Sequence, residues 1–336
     1  MDINKQPFVS FCISTYRRPE LLKSTLQTIA RQTFTDFEVI ISDNGPDAAS
    51  GEVVKNMNDS RFKYFHNEEN LGMIRSFNKS IERSSAGYIV MITDDDPVYP
   101  DMLGTLVRLE KEYPGYGLYM GGCDWFCKAP EVAKLYQLKV GTNSCLSGEY
   151  ELDHVMPFAP DEFLKLFFTF KLFPHYLWST CMVRRDVLLK AGGVPDYGTP
   201  FLGDYAYLAV MSAASGCVVI NKSLGCQTLH KENFGRDQNE QILTAAKEFP
   251  RFVEQHLSGV KDWALIKKQL LHFTALWLVS HLSFLYSHKK TKSLEAIASQ
   301  VFNIDYVKPY RSKYFLKTKF PFVHNNIVKI KKRLKG

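Results

Sequence analysis

Tyr88-Ile89-Val90-Met91-Ile92-Thr93-Asp94-Asp95-Asp96-Pro97 runs an apolar segment directly into three adjacent carboxylates and a proline. The apolar run has the length and composition of a buried strand, which puts the carboxylates at its C-terminal end. In open α/β sheets that end faces the ligand crevice. Three neighbouring negative charges repel one another, so a compensating cation is expected. A divalent ion with oxygen ligands fits, its shell completed by a diphosphate. A solvated acidic turn fits the triplet alone equally well, because Asp is common in turns.

The residues before this stretch alternate between two periods. Residues 8–14, 37–42 and 62–66 read as short strands. Between them, Leu21, Leu22, Leu26 and Ile29 after Pro19, then Val53, Val54 and Met57, then Ile74, Phe77 and Ile81, fall at helical spacing. A helix over 101–112 and a strand at 118–120 continue the alternation. This order predicts a mostly parallel sheet covered by helices on both faces. Right-handed crossovers then set Thr15, Asp43 and Asp94 along one edge. Neither GxGxxG nor GxxxxGK[ST] follows a strand, so a dinucleotide-binding unit is disfavoured and a P-loop is excluded.

Further along, residues 123–158 lose periodicity and read as a long loop with interleaved aromatics. A helix over 161–170, a strand over 177–183, a short helix over 185–191, an apolar helix over 205–214 and a strand over 217–220 follow. Asp204 opens the apolar helix, where a carboxylate suits the helix dipole and where a plain N-cap is by itself the commoner explanation. A polar segment begins at His230.

The composition, 45% hydrophobic and 23% charged over 336 residues, is that of a globular protein with a substantial core. Seven scattered cysteines without paired CxxC motifs argue against a disulfide framework or zinc ribbon. They read as packed thiols in a reducing compartment. No apolar leader precedes the first strand, so no signal peptide is expected. The net charge of +7 is concentrated in residues 289–336, where Lys and Arg outnumber Glu295 and Asp305 many times over. Residues 327–335 mix aliphatic and basic side chains; an anionic membrane surface and a frayed terminus both account for them. Nucleic acid is not expected, because stacking positions and recognition motifs are missing there. Residues 270–286 are apolar apart from His272, His281 and a few hydroxyls. That length is at the short limit for a membrane span and predicts a buried or interfacial helix.

Five signals in order resemble family 2 glycosyltransferases of the GT-A fold. They are Val9 to Pro19 with Thr15-Tyr16-Arg17-Arg18, Gln32 to Ile40, Ser42-Asp43-Asn44, Asn70-Leu71-Gly72 with Asn78, and Thr93-Asp94-Asp95-Asp96, followed at a helix start by Gly203-Asp204. The resemblance covers about residues 7–235. It implies an inverting transferase taking sugar from a nucleotide-diphospho-sugar and building a surface polysaccharide. Asp43 then stands where the family hydrogen-bonds the nucleobase, and Thr15, Tyr16 and Arg17 where it frames base and ribose. Asn70 and Arg75 fall in the nucleotide-sugar half, Arg75 two residues before Phe77, which replaces a frequent Arg. Asp94 faces the ribose or sugar at a DxD-like site. Asp95, with Asp96 and His230, falls where the family holds Mn²⁺ or Mg²⁺. Asp204 matches the catalytic base, and Trp178 lies in the acceptor region.

These residue types suit the chemistry on their own account. Displacing a nucleoside diphosphate builds negative charge on the leaving group, which a cation offsets. A sugar hydroxyl needs its proton removed, which a carboxylate does. A carboxylate acceptor at Asp43 suits an imide N–H, tilting the donor towards UDP- or dTDP-sugars. The acceptor is expected to be a glycan or a lipid-linked saccharide, with the enzyme cytoplasmic or peripheral on the inner face of the cytoplasmic membrane. The expected organisation is a GT-A domain over 1–235, divided into a nucleotide-sugar half (1–122) and an acceptor half (123–235). A helical extension over 236–336 follows. The alternative is a non-catalytic nucleotide-sugar or glycan-binding protein on the same fold, since fold does not fix function.

Overall fold

The apolar run forms β4 (Tyr88–Thr93), in which Ile89, Val90, Met91 and Ile92 are fully buried. The computed structural model describes residues 6–47, 49–230, 240–288 and 291–319. β4 pairs in parallel with β1 (Val9–Thr15), β1 with β2 (Phe37–Asp43), and β2 with β3 (Phe62–His66). Each connection is a helix: α1 (Pro19–Ala30), α2 (Ala49–Met57) and α3 (Met73–Arg83). α1 begins with Pro19, whose missing N–H costs nothing in a first turn, and buries Leu22, Leu26 and Ile29. β1, β2 and β4 are buried on both faces, which is why they read as apolar runs, whereas edge strand β3 is partly exposed and alternates.

β4 is followed by α4 (Met102–Glu112) and β5 (Leu118–Cys127). The sheet order is β3-β2-β1-β4-β8-β5-β9-β7, with β6 (Gly141–Asn143) paired to β5. β8 (Cys181–Arg184) inserts antiparallel between β4 and β5, β9 (Cys217–Leu229) runs parallel to β5, and β7 (Val155–Phe158) closes on β9. The expected mostly parallel α/β sheet, flanked by helices, is the observed one.

Two local expectations are corrected. Residues 123–158 are not one long loop: they hold the end of β5, α5 (Pro130–Tyr136), β6 and β7. Gly121 and Gly122 masked the strand, because the β5–β9 register shifts on either side of Gly122. A Cβ at Gly121 would lie 2.6 Å from Leu224 Cγ and 2.7 Å from the Lys222 carbonyl oxygen, so close backbone approach requires glycine. The strand expected over 177–183 begins as a 3₁₀ turn, Trp178–Thr180, before β8. Next come α6 (Pro160–Phe167), α7 (Arg185–Lys190) and α8 (Gly203–Ser215); α8 is buried on most of its surface, as its apolar composition demands.

The chain packs as two compact units. One is drawn from 6–196, 202–230 and 256–263, the other from 197–201, 240–255 and 264–319. Within the second, α9 (Gln241–Leu257), α10 (Trp263–His288) and α11 (Lys292–Val301) share a core. It joins Ile242, Ala245 and Ala246 to Leu278, Val279, Leu282 and Leu285, and to Leu294, Ile297 and Val301. Burying each large aliphatic side chain contributes about 1.5–3 kcal/mol. α10 is long and apolar enough to cross a membrane, and half of its most apolar window is buried in the protein. His281 stacks on Trp277 at 4.8 Å, and burial pushes its pKa down to about 4. His272 hydrogen-bonds the Tyr310 hydroxyl. α12 (Arg311–Lys319) follows. The basic stretch 327–335 and residues 231–235 lie outside the described residues.

Candidate functional site

Parallel register carries the sequence-predicted residues to one edge. Thr15 pairs opposite Asp43, and Ser14 opposite Thr93, so Asp94 emerges beside Thr15. The Thr15 hydroxyl donates to Asp94 Oδ2 at 2.7 Å, and Thr25 Oγ1 donates to the Asp94 carbonyl at 3.0 Å. Arg18 reaches both neighbouring acids, with Nη1 3.5 Å from Asp94 Oδ1 and 3.2 Å from Asp95 Oδ2. His230 Nε2 lies 3.0 Å from the same Asp95 oxygen.

The three acids differ sharply in their surroundings. Burial, reinforced by the Asp95 charge, pushes Asp94 up to about 6. Burial acts on Asp95 too, but the His230 hydrogen bond and the Arg18 charge outweigh it and hold Asp95 below the usual carboxylate range. Asp96 is driven well upward by burial and by the Asp95 charge. Both its oxygens are taken, one by Thr93 Oγ1 at 2.5 Å and one by the Thr228 N–H at 3.0 Å. Asp96, expected among the metal ligands, thus links the end of β4 to β9, while Asp95 meets both Arg18 and His230. Among the described residues no group of three or more His, Cys, Asp and Glu side chains gathers for a metal ion. Asp95 and His230 offer two donors, and Arg18 stands beside them as a cation already drawn to the spot.

Asp204 is the second residue of α8, introduced by Leu202 at φ 64°. The Trp178 N–H donates to Asp204 Oδ1 at 3.1 Å. The Trp178–Thr180 turn that supplies this N–H packs against β4, β5, β9 and α8. The Asp204 charge is among the causes raising Asp96, so the two lie within electrostatic reach. Burial raises Asp204 itself to about 6, against the Trp178 hydrogen bond.

Trp178 does not present a stacking face. It is 3% exposed, with its ring against Phe77 at 5.3 Å and Tyr207 at 6.0 Å, so the acceptor contact expected of it is not offered by the ring. What it contributes is the backbone N–H that positions Asp204. Phe77, where an Arg is frequent, fills this apolar contact.

Asp43 is fully buried, its oxygens accepting the Gly45 N–H at 2.7 Å and the Tyr64 hydroxyl at 2.8 Å. Tyr16 is 41% exposed, with the Arg17 guanidinium over its ring at 5.2 Å. Asn70 accepts the Gly72 N–H at 2.9 Å, an Asx turn that leads into α3. Arg75 lies exposed on α3. Sequence reasoning passed over Arg18, Tyr64 and Thr228. Only Arg18 had a visible signal, a cation between a strand end and a helix start; the other two become neighbours of the acids through long-range pairing alone.

Residues 10–191, more than half of the chain, match the family described as Glycosyl transferase family 2. A Campylobacter jejuni GalNAc(5)-diNAcBac-PP-undecaprenol beta-1,3-glucosyltransferase is 31% identical over 35% of this chain, a match spanning only 38% of that relative. A Haloferax volcanii glucosyl-dolichyl phosphate glucuronosyltransferase is 30% identical over 67% of this chain and 66% of its own length. The fold matches S. aureus TarS solved with UDP, at TM-score 0.58 and 13% identity over 91% of this chain and 92% of that one. It also matches Pyrobaculum calidifontis mannosyltransferase PcManGT with GDP-Man and Mn²⁺, at 0.53 and 14% over 95% and 88%. With the acids gathered at the strand ends of this sheet and the family match extending over residues 10–191, the chain belongs to glycosyl transferase family 2.

Proposed function

We propose that this glycosyltransferase moves a sugar from a nucleoside-diphosphate donor to a hydroxyl of a glycan or lipid-linked saccharide, with inversion at the anomeric carbon. The observation carrying this reading is the pairing of two unlike acids: Asp95, held ionised by the His230 hydrogen bond and the Arg18 charge, and Asp204, held near pKa 6 on a helix start. Asp95 suits the donor's diphosphate end, and Asp204 the acceptor proton. The donor set fits a divalent ion, since hard cations of this kind take one or two carboxylates and complete their shell with substrate phosphates. Asp95 and His230 would hold it, and when bound it supplies charge to the leaving diphosphate.

The remaining work falls to the chain's own groups. Thr15 and Thr25 fix Asp94 against the strand end, where it would meet the ribose or sugar. Trp178 orients the Asp204 carboxylate so that it accepts the acceptor hydroxyl's proton as the bond to the sugar forms. Asp43 and Tyr64 would read the base: a carboxylate and a phenol present acceptors to an imide N–H, which favours uracil or thymine. Two relatives whose names specify lipid-linked acceptors support the acceptor class. The basic terminal sequence supports work at the inner face of the cytoplasmic membrane.

A thermal-shift screen of nucleotide sugars with Mn²⁺ tests the donor, because a ligand bound only by the native state raises the melting temperature. UDP- or dTDP-sugars are expected to stabilise the enzyme most. A larger shift with CDP-sugars, whose base has no ring N–H, sinks the assignment of base recognition to Asp43.

A further inference from the structure

We infer that Arg18 is a resident counter-cation of the Asp94–Asp95 pair, one that a divalent ion must displace and that then passes to the donor diphosphate. The inference rests on the reading above that Asp95 and His230 hold the ion. Two adjacent carboxylates, 7% and 10% exposed, share one guanidinium at 3.5 and 3.2 Å. At this depth their mutual repulsion is only partly screened, so the pair needs a positive partner.

The backbone is built to keep Arg18 there. Arg17 adopts φ 55°, an unusual angle for a non-glycine residue, and its side chain turns out over Tyr16. Pro19 then opens α1, and the Arg18 carbonyl accepts the Leu22 N–H at 3.0 Å, fixing the residue as the helix N-cap. The side chain itself is 28% exposed and long enough to swing.

The shared oxygen decides which neighbour leaves. Asp95 Oδ2 meets both Arg18 and His230. An imidazole has a lone pair and can stay as a ligand beside an incoming metal ion. A guanidinium has no acceptor or donor lone pair to offer a metal and carries a like charge, so it withdraws. Its planar fork matches phosphate oxygens, so a bound donor diphosphate would compete with Asp94 for it. Metal alone should therefore bind weakly, and metal and nucleoside diphosphate should each strengthen the other.

The experiment titrates Mn²⁺ into the full-length protein by electron paramagnetic resonance, without nucleotide and then with UDP. Arg18→Gln is expected to bind Mn²⁺ alone on the order of tenfold more tightly than wild type, and UDP with Mn²⁺ on the order of tenfold more weakly. Arg18→Lys, which keeps the charge, is expected to retain weak Mn²⁺ binding, and it carries the test if the Gln variant fails to melt cooperatively. Unchanged or weaker Mn²⁺ binding by Arg18→Gln, with binding lost in Asp95→Asn, overturns the inference alone. Equal Mn²⁺ binding by wild type and Asp95→Asn overturns the metal reading beneath it.

Discussion

At the residue scale, Asp204 shows how environment sets chemistry. A free aspartate is ionised at pH 6 and is a weak base; burial at the start of α8 lifts this one to about 6, which suits the base role proposed for it. The sign follows directly. As a base Asp204 works deprotonated, so turnover should fall as pH drops through about 6 and level off above it. Asp204→Asn keeps the Trp178 contact but loses the base, and should cost roughly 10²–10⁴ in kcat while donor affinity holds. Turnover of the Asn variant equal to wild type would remove Asp204 from proton transfer. The same scale shows what the sequence could not say. Arg17 and Arg18 are chemically identical neighbours, yet Arg18 meets Asp94 and Asp95 while Arg17, at φ 55°, lies over Tyr16. Trp178 was singled out for its ring, yet its ring is packed on Phe77 and its backbone does the positioning.

At the element scale, the first half of the sheet was legible because parallel strands buried on both faces leave continuous apolar runs, as at 37–43 and 88–93. The second half was obscure for a physical reason. β5 crosses a bulge at a glycine pair, and β8 follows a single turn of 3₁₀ helix, so neither displays a clean period. Gly121→Ala tests the packing there. Its added methyl would meet Leu224 at 2.6 Å and the Lys222 backbone at 2.7 Å, and overpacking of this kind costs typically 1–3 kcal/mol. The melting temperature should drop by several degrees, and an unchanged one would show that β9 relaxes freely around residue 121.

For the whole molecule, charge is segregated along the sequence. Residues 289–336 hold more positive surplus than the entire chain's +7, which leaves the rest net acidic. Juxtaposed with anionic lipid, each basic residue near the surface contributes about 1 kcal/mol. Deleting residues 327–336 should therefore weaken sedimentation with phosphatidylglycerol vesicles and leave transfer to soluble acceptors intact. Equal sedimentation of both proteins would count against membrane docking through this segment. The second unit was legible as helical, and residues 270–286 as a buried or interfacial helix from their length and two histidines; half of the most apolar window of α10 is buried.

The central claim is geometric: one crevice at the strand ends holds the donor's diphosphate at Asp95 and its anomeric carbon before Asp204. A crystal structure with Mn²⁺ and an unreactive UDP-sugar analogue, using the anomalous signal of the metal, measures it most directly. The account predicts a Mn²⁺ peak about 2.1–2.3 Å from Asp95, bridged to the diphosphate, with the Asp204 carboxylate on the side of the anomeric carbon opposite the leaving oxygen. A metal peak away from Asp95, or a sugar facing away from Asp204, would contradict it.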